Sequence, residues 1–154
     1  PDRCKECHID CSSGSLGHGL PIAVGMALAD RSKNVYCLIS DGECAEGSIY
    51  EAATIARKYK LRNLRVVCNY NGWGAYGKPF LDNFGIYTLF RTCGWGVSVE
   101  KSERIKEFIL REFNTPYLFL AMTNSNQLPF LEGQDAHYKV MNKEEYKQAM
   151  EILR

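Results

Sequence analysis

At 154 residues and 45% hydrophobic content, the chain can bury one core, and 1–154 reads as a single domain. Its 19 basic and 18 acidic residues leave no electrostatic footprint for nucleic acid and no basic stretch suited to a membrane surface. No apolar run approaches the roughly 18 residues a spanning helix needs, and the amino terminus is too polar for a secretory signal, so a cytoplasmic location is expected.

In chain order, residues 1–8 form an irregular segment. Seven cysteines are many for this length, but Cys37, Cys68 and Cys93 fall in or beside apolar segments, where cysteine packs as a small hydrophobe. Thiols of a reducing compartment are expected. Cys4-Lys5-Glu6-Cys7-His8 matches the C-x-x-C-H pattern of haem attachment and, with Cys11, offers zinc ligands. Haem attachment would need export and no second cysteine pair supports zinc, so the plainer reading is an exposed stretch of chain.

Leu16 to Ala29 is rich in small and apolar residues, Val35 to Ile39 is strand-like, Ser48 to Tyr59 helical, and Leu64 to Cys68 strand-like again. A Gly-rich, aromatic loop from Gly72 to Gly85 leads to a short helix through Leu89. A strand at Trp95–Val99, a helix at Glu103–Phe113, a buried strand at Tyr117–Ala121 and an amphipathic helix at Lys143–Leu153 follow. The stretch 123–141 is polar and aperiodic, the kind of long loop that is functional or flexible. The alternation predicts an α/β fold, a doubly wound, mostly parallel sheet with helices on both faces.

In such sheets ligands bind outside the carboxyl ends of the strands, where Asp41 and Asn71 lie. A carboxylate and an amide oxygen from neighbouring strand ends make a hard-oxygen site for Mg²⁺, which takes about six ligands and usually draws some from phosphate. The missing ligands would come from a diphosphate, with Gly42 letting the backbone approach it and the following helix supplying N–H groups. Asp-Gly alone is more often a turn or a cap. Gly72-Trp73-Gly74-Ala75-Tyr76-Gly77 fits G-x-G-x-x-G literally, but Lys78-Pro79-Phe80 interrupts the helix that a dinucleotide site requires.

Asp41-Gly42 with Asn71 thirty residues on resembles the thiamine diphosphate motif, and the surrounding SSGSLGHGLPIAVGMALA, SDGECAEGSIYEAA and LRNLRVVCNYNGWGAYG resemble the transketolase family. The likeness runs from about Ile9 to the end, closing with Ala136-His137-Tyr138 and Asn142-Lys143-Glu144-Glu145-Tyr146. It implies the diphosphate-binding, amino-terminal domain of a transketolase, with thiamine diphosphate and Mg²⁺ as cofactors. Asp41, the Asn71 side chain and the Trp73 carbonyl would bind the metal, while Gly42, Glu43 and Asn71 would lie at the diphosphate. Gly14, Ser15 and Leu16 match the loop against the cofactor rings. His137 matches a histidine facing diphosphate and substrate, and Glu46 and Glu51 match interface glutamates that relay protons. Read without the resemblance, His137 is a surface residue and the two glutamates are ordinary residues of a helix start.

Ser40 departs from the family's usual glycine and can cap the following turn. The amino-terminal region whose histidines contact sugar phosphate, and the pyrimidine domain whose glutamate activates the cofactor, lie outside this sequence. Asn124-Ser125-Asn126-Gln127 replaces the lysine and glycine pattern usual in relatives. The expected function is therefore one part of a split, ketol-transferring enzyme acting on sugar phosphates, inactive alone, paired with a pyrimidine-domain subunit or as a homodimer. A cofactor-binding domain without turnover and a non-enzymatic interaction domain are the alternatives.

Overall fold

The computed structural model describes residues 2–11, 13–123, 128–131 and 138–153. Four parallel strands, β1 (Val35–Ser40), β2 (Leu64–Tyr70), β3 (Gly96–Lys101) and β4 (Tyr117–Met122), form one sheet in the order β1-β2-β4-β3. The α-helices are α1 (Gly19–Ala29), α2 (Gly47–Lys58), α3 (Asn83–Thr92), α4 (Ile105–Ile109) and α5 (Lys143–Ile152).

The two-residue strand period divides the core. Leu64, Val66 and Cys68 of β2 face one side with Leu118 and Leu120 of β4, where α1, α2 and α3 cover them. Val67, Phe119 and Ala121 face the other side, under Phe108 of α4. Leu64 through Cys68 are all buried, as a central parallel strand requires. On α2, Ile49, Ala52, Ala53 and Ala56 make an i, i+3, i+4, i+7 stripe of at most 3% exposure. Its alanines let α2 pack closely on α1, which also lies on β1.

Two buried polar groups tie the layers. The Asn63 amide donates to the carbonyls of Ala27, Asp30 and Lys33 at 3.1, 3.2 and 2.9 Å, fixing the end of α1 to the start of β2. The Trp95 indole N–H donates to the Ala53 carbonyl at 2.9 Å, and its ring meets Phe90 edge-on.

The expected helix over Glu103–Phe113 is shorter. A 3₁₀ turn at Ser102–Arg104 leads into α4, which stops at Ile109. Phe113 leaves the helical path to stack on Tyr117 with ring centroids 3.9 Å apart, and the Arg111 carbonyl accepts a bond from buried Arg65 at 2.9 Å. Tertiary contacts thus override a local pattern that would have carried the helix one turn further. The strand expected at Trp95–Val99 runs from Gly96 to Lys101, since Trp95 is spent on the helix layer.

Candidate cofactor site at the strand ends

Ser40, the last residue of β1, pairs with Asn69 of β2, which brings the two following loops side by side at the carboxyl edge. Asp41 sits there at 1% exposure. Its Oδ1 accepts the Gly42 N–H at 2.9 Å, and its Oδ2 accepts the N–H groups of Asn71 and Gly72 at 3.2 and 2.8 Å. Gly72 has φ of 74°, a left-handed conformation that lets the loop bend back onto the carboxylate. The Asn71 Oδ1 accepts the Trp73 N–H at 2.8 Å.

The donor set fits a hard cation. A carboxylate offers about four lone-pair sites and a carbonyl oxygen two. Three N–H bonds on Asp41 and one on Asn71 leave a lone pair on each. Among the described residues no ion pair reaches Asp41, so backbone dipoles alone balance a buried carboxylate. Gly42 is open to a ligand, since a β-carbon there would meet only the Ser40 hydroxyl at 4.0 Å.

A second network holds the loop before α1. Ser40 and Glu43 make a reciprocal cap: the Ser40 hydroxyl accepts the Glu43 N–H at 3.3 Å, and Glu43 Oε2 accepts the Ser40 N–H at 3.0 Å. Glu43 Oε1 then accepts the Gly17 N–H at 3.0 Å, while Ser48 Oγ donates to the Gly17 carbonyl at 2.8 Å. Gly17 has φ of 78°, and a β-carbon there would meet Ser48 Oγ at 2.5 Å and Glu46 Cβ at 2.7 Å. Gly14, Ser15 and Leu16 lie just before this clamp and are exposed. Across the sheet, Thr123 donates to Asn69 Oδ1 at 2.7 Å, tying the end of β4 to the same edge.

Of the residues expected from the sequence, Asp41, Gly42, Asn71 and Trp73 are gathered here, and Gly14–Leu16 directly precede Gly17, which Glu43 ties to this edge. Glu43 turns its carboxylate onto Gly17 and Ser40. Glu46 packs its β-carbon on Gly17, and Glu51 lies exposed one turn into α2. His137 lies outside the described residues. The glycine run forms a tight turn, Gly74 N–H to Gly77 O at 2.7 Å, with Lys78 over the Trp73 ring. Among the described residues no group of three or more His, Cys, Asp or Glu side chains is placed to hold a metal, Cys4, Cys7, His8 and Cys11 included. No motif marks Ser48, Thr123 or Asn69 in the sequence; the S-x-x-E spacing of Ser40 and Glu43 is the one available signal for the cap.

Residues 3–85, more than half of the chain, match the family model described as thiamine pyrophosphate enzyme, C-terminal TPP binding domain. The chain belongs to the thiamine pyrophosphate enzyme family. This thiamine pyrophosphate enzyme chain is 30% identical over 167 residues to one of the subunits of apulose-4-phosphate transketolase from Actinobacillus succinogenes, an alignment covering 100% of the chain and 60% of that protein. It is 44% identical over 112 residues to transketolase of Pongo abelii, covering 67% of the chain and 18% of that protein. Its fold matches transketolase of Campylobacter jejuni with a TM-score of 0.80 and 27% identity, over 90% of the chain and 25% of that structure. The chain therefore spans 60% or less of each of these relatives. No described helix is long and apolar enough to cross a membrane.

Proposed function

We propose that this chain is the diphosphate-binding part of a transketolase-like enzyme that holds thiamine diphosphate through Mg²⁺. One observation carries the reading: a buried carboxylate, Asp41, braced by three backbone N–H groups beside the Asn71 amide oxygen at adjacent strand ends. In this reading Asp41 and Asn71, with the Trp73 carbonyl, ligate the metal, and Gly42 presents an uncluttered backbone to the diphosphate. The Gly14–Leu16 loop, anchored at Gly17, lies against the cofactor rings, and Glu43 acts through that anchor. From the family resemblance we assign His137 to the diphosphate and substrate, and Glu46 and Glu51 to proton transfer between paired sites of neighbouring protomers.

When bound, thiamine diphosphate supplies the nucleophilic carbon and electron sink for making and breaking a carbon–carbon bond. The chain's own residues bind, neutralise and orient; the glutamate that activates the aminopyrimidine belongs to a pyrimidine domain on a partner. The Actinobacillus succinogenes relative is itself one subunit of a transketolase, which supports such a division, and ketol transfer between sugar phosphates is the activity we assign to the assembled enzyme. A reducing cytoplasm suits a chain whose seven cysteines form no disulfide.

The assay is ketol transfer from xylulose 5-phosphate to an aldose phosphate, with and without a pyrimidine-domain subunit. Turnover is expected only in the mixture, and only with thiamine diphosphate and Mg²⁺ present. Turnover by this chain alone, or none in any pairing, would overturn the split-enzyme reading.

A further inference from the structure

The amino-terminal hairpin is built around a C-x-x-C pair outside the cofactor site. Cys4 and Ile9 exchange backbone bonds at 2.9 and 2.8 Å, and His8 turns the chain with φ of 56°, an uncommon conformation for a residue with a β-carbon. The turn is closed from within: His8 N–H donates to the Lys5 carbonyl at 3.2 Å, and Cys7 N–H donates to Cys4 Sγ at 3.1 Å. That N–H···S contact places the Cys4 sulfur against the backbone of the residue that carries the second thiol.

Access and acidity separate this pair from the cysteines of the core. Cys7 is exposed and Cys4 half-buried, whereas Cys37, Cys44, Cys68 and Cys93 are at most 9% exposed. The Cys7 thiol and N–H hold Cys4 below the ordinary thiol pKa, and giving up that hydrogen bond holds Cys7 above it. Burial, with the Glu43 charge, pushes Cys37 up to about 12. The Cys44 contact and burial raise Cys68, and burial raises Cys93. A thiolate is the attacking species in disulfide exchange, so these core thiols are inert and Cys4 is poised.

We propose that Cys4 and Cys7 form a reversible dithiol–disulfide site, oxidised to an intramolecular disulfide by a small disulfide such as glutathione disulfide. The Cys4 thiolate attacks one sulfur of glutathione disulfide, whose S–S bond breaks and releases one glutathione thiolate. Cys7 then loses its proton and attacks the Cys4 sulfur, expelling the second glutathione thiolate. The two protein thiols give up two protons and two electrons, and one glutathione disulfide becomes two glutathiones. The ring closed from Cys4 to Cys7 is short and exposed, so the bond adds little chain entropy and is easily reduced again.

The test equilibrates the full chain in glutathione buffers from reducing to oxidising, quenches with acid, and maps alkylation by mass spectrometry. The expected product has lost two hydrogen atoms, with Cys4 and Cys7 protected while Cys37, Cys44, Cys68 and Cys93 still alkylate after unfolding. With the native chain, Cys4 should alkylate at least about tenfold faster than the buried cysteines. Cys7→Ser should trap glutathione on Cys4, and Cys4→Ser should slow capture at Cys7 by about tenfold. Cys4 and Cys7 both remaining alkylatable in the most oxidising buffer, or a Cys7→Ser chain that captures no glutathione, would overturn the proposal. Since both variants change only an exposed hairpin, unchanged far-ultraviolet circular dichroism separates these outcomes from misfolding.

Discussion

Asp41 serves two purposes with the same carboxylate: it accepts three backbone N–H groups and, in our reading, ligates Mg²⁺. Asp41→Ala leaves those donors without their acceptor in a buried place, a loss of about 1–3 kcal/mol that urea unfolding should register. Asp41→Asn keeps one oxygen acceptor but turns an NH2 donor against the N–H groups on the other side and drops the charge, so it should also lose stability while abolishing metal-dependent binding. A variant that binds the metal cofactor as well as the parent chain would remove Asp41 from the site. At Gly17 the constraint is steric. Gly17→Ala forces a β-carbon into Ser48 and Glu46 at a left-handed φ, with a cost of about 1–3 kcal/mol and weaker thiamine diphosphate binding. A melting temperature equal to that of the parent would refute the clamp.

Among the elements, the 3₁₀ turn Gly42–Ala45 that follows β1 joins two loops through one side chain, since Glu43 reaches both Ser40 and Gly17. Glu43→Ala should leave the sheet intact and speed hydrogen exchange at Gly17 by at least about tenfold, a local opening. Unchanged exchange there would mean that Ser48 alone holds the loop. The capping box of α5, Asn142 with Glu145, makes a pH prediction. The Lys139 contact, then the Asn142 N–H, lowers the Glu145 pKa. A lowered folded pKa contributes stability above the ordinary glutamate value and loses it as pH falls through the lowered one. Amide shifts of Asn142 and Glu145 should therefore stay native through the ordinary glutamate range and move together only at lower pH.

At this scale most of the architecture was legible. Helix and strand periods gave β1, β2, α2 and α5 to within two residues, because their burial patterns are local. Phe113 was not legible: its place on Tyr117 depends on a strand partner that periodicity does not reveal. The strand order was not legible either, since β4 lies between β2 and β3 against the sequence order. At the candidate site, the residue types and spacing of Asp41 and Asn71 pointed to adjacent strand ends, and that is where the two residues lie. Asn69, Thr123 and Ser48 carry only hydrogen bonds that follow from register, and nothing in the residue pattern marks them. Glu43 was expected at the diphosphate from the family resemblance alone, and the structure turns its carboxylate onto Gly17 and Ser40.

For the whole molecule, the uncovered surface is the outstanding feature. Leu38 in mid-β1 is 72% exposed beside Tyr36 at 48%, although strands of parallel sheets are ordinarily covered on both faces. Tyr50 and Ile55 of α2 and Ile22 of α1 add apolar area on the helical side. Surface of this kind favours association, and Glu51 on the same helix is where the proposed proton relay would meet a second protomer. Sedimentation at rising concentration should show a dimer or larger species, and a monomer throughout would count against that arrangement.

If the ends of β1 and β2 hold Mg²⁺ and a diphosphate, the chain must bind its cofactor in a metal-dependent way. Titration calorimetry with thiamine diphosphate measures this most directly, run with Mg²⁺, with the metal chelated, and with Asp41→Asn. Saturable heat that requires Mg²⁺ and vanishes in the variant is the expected result. No heat at millimolar cofactor, or binding indifferent to both Mg²⁺ and Asp41, would contradict it.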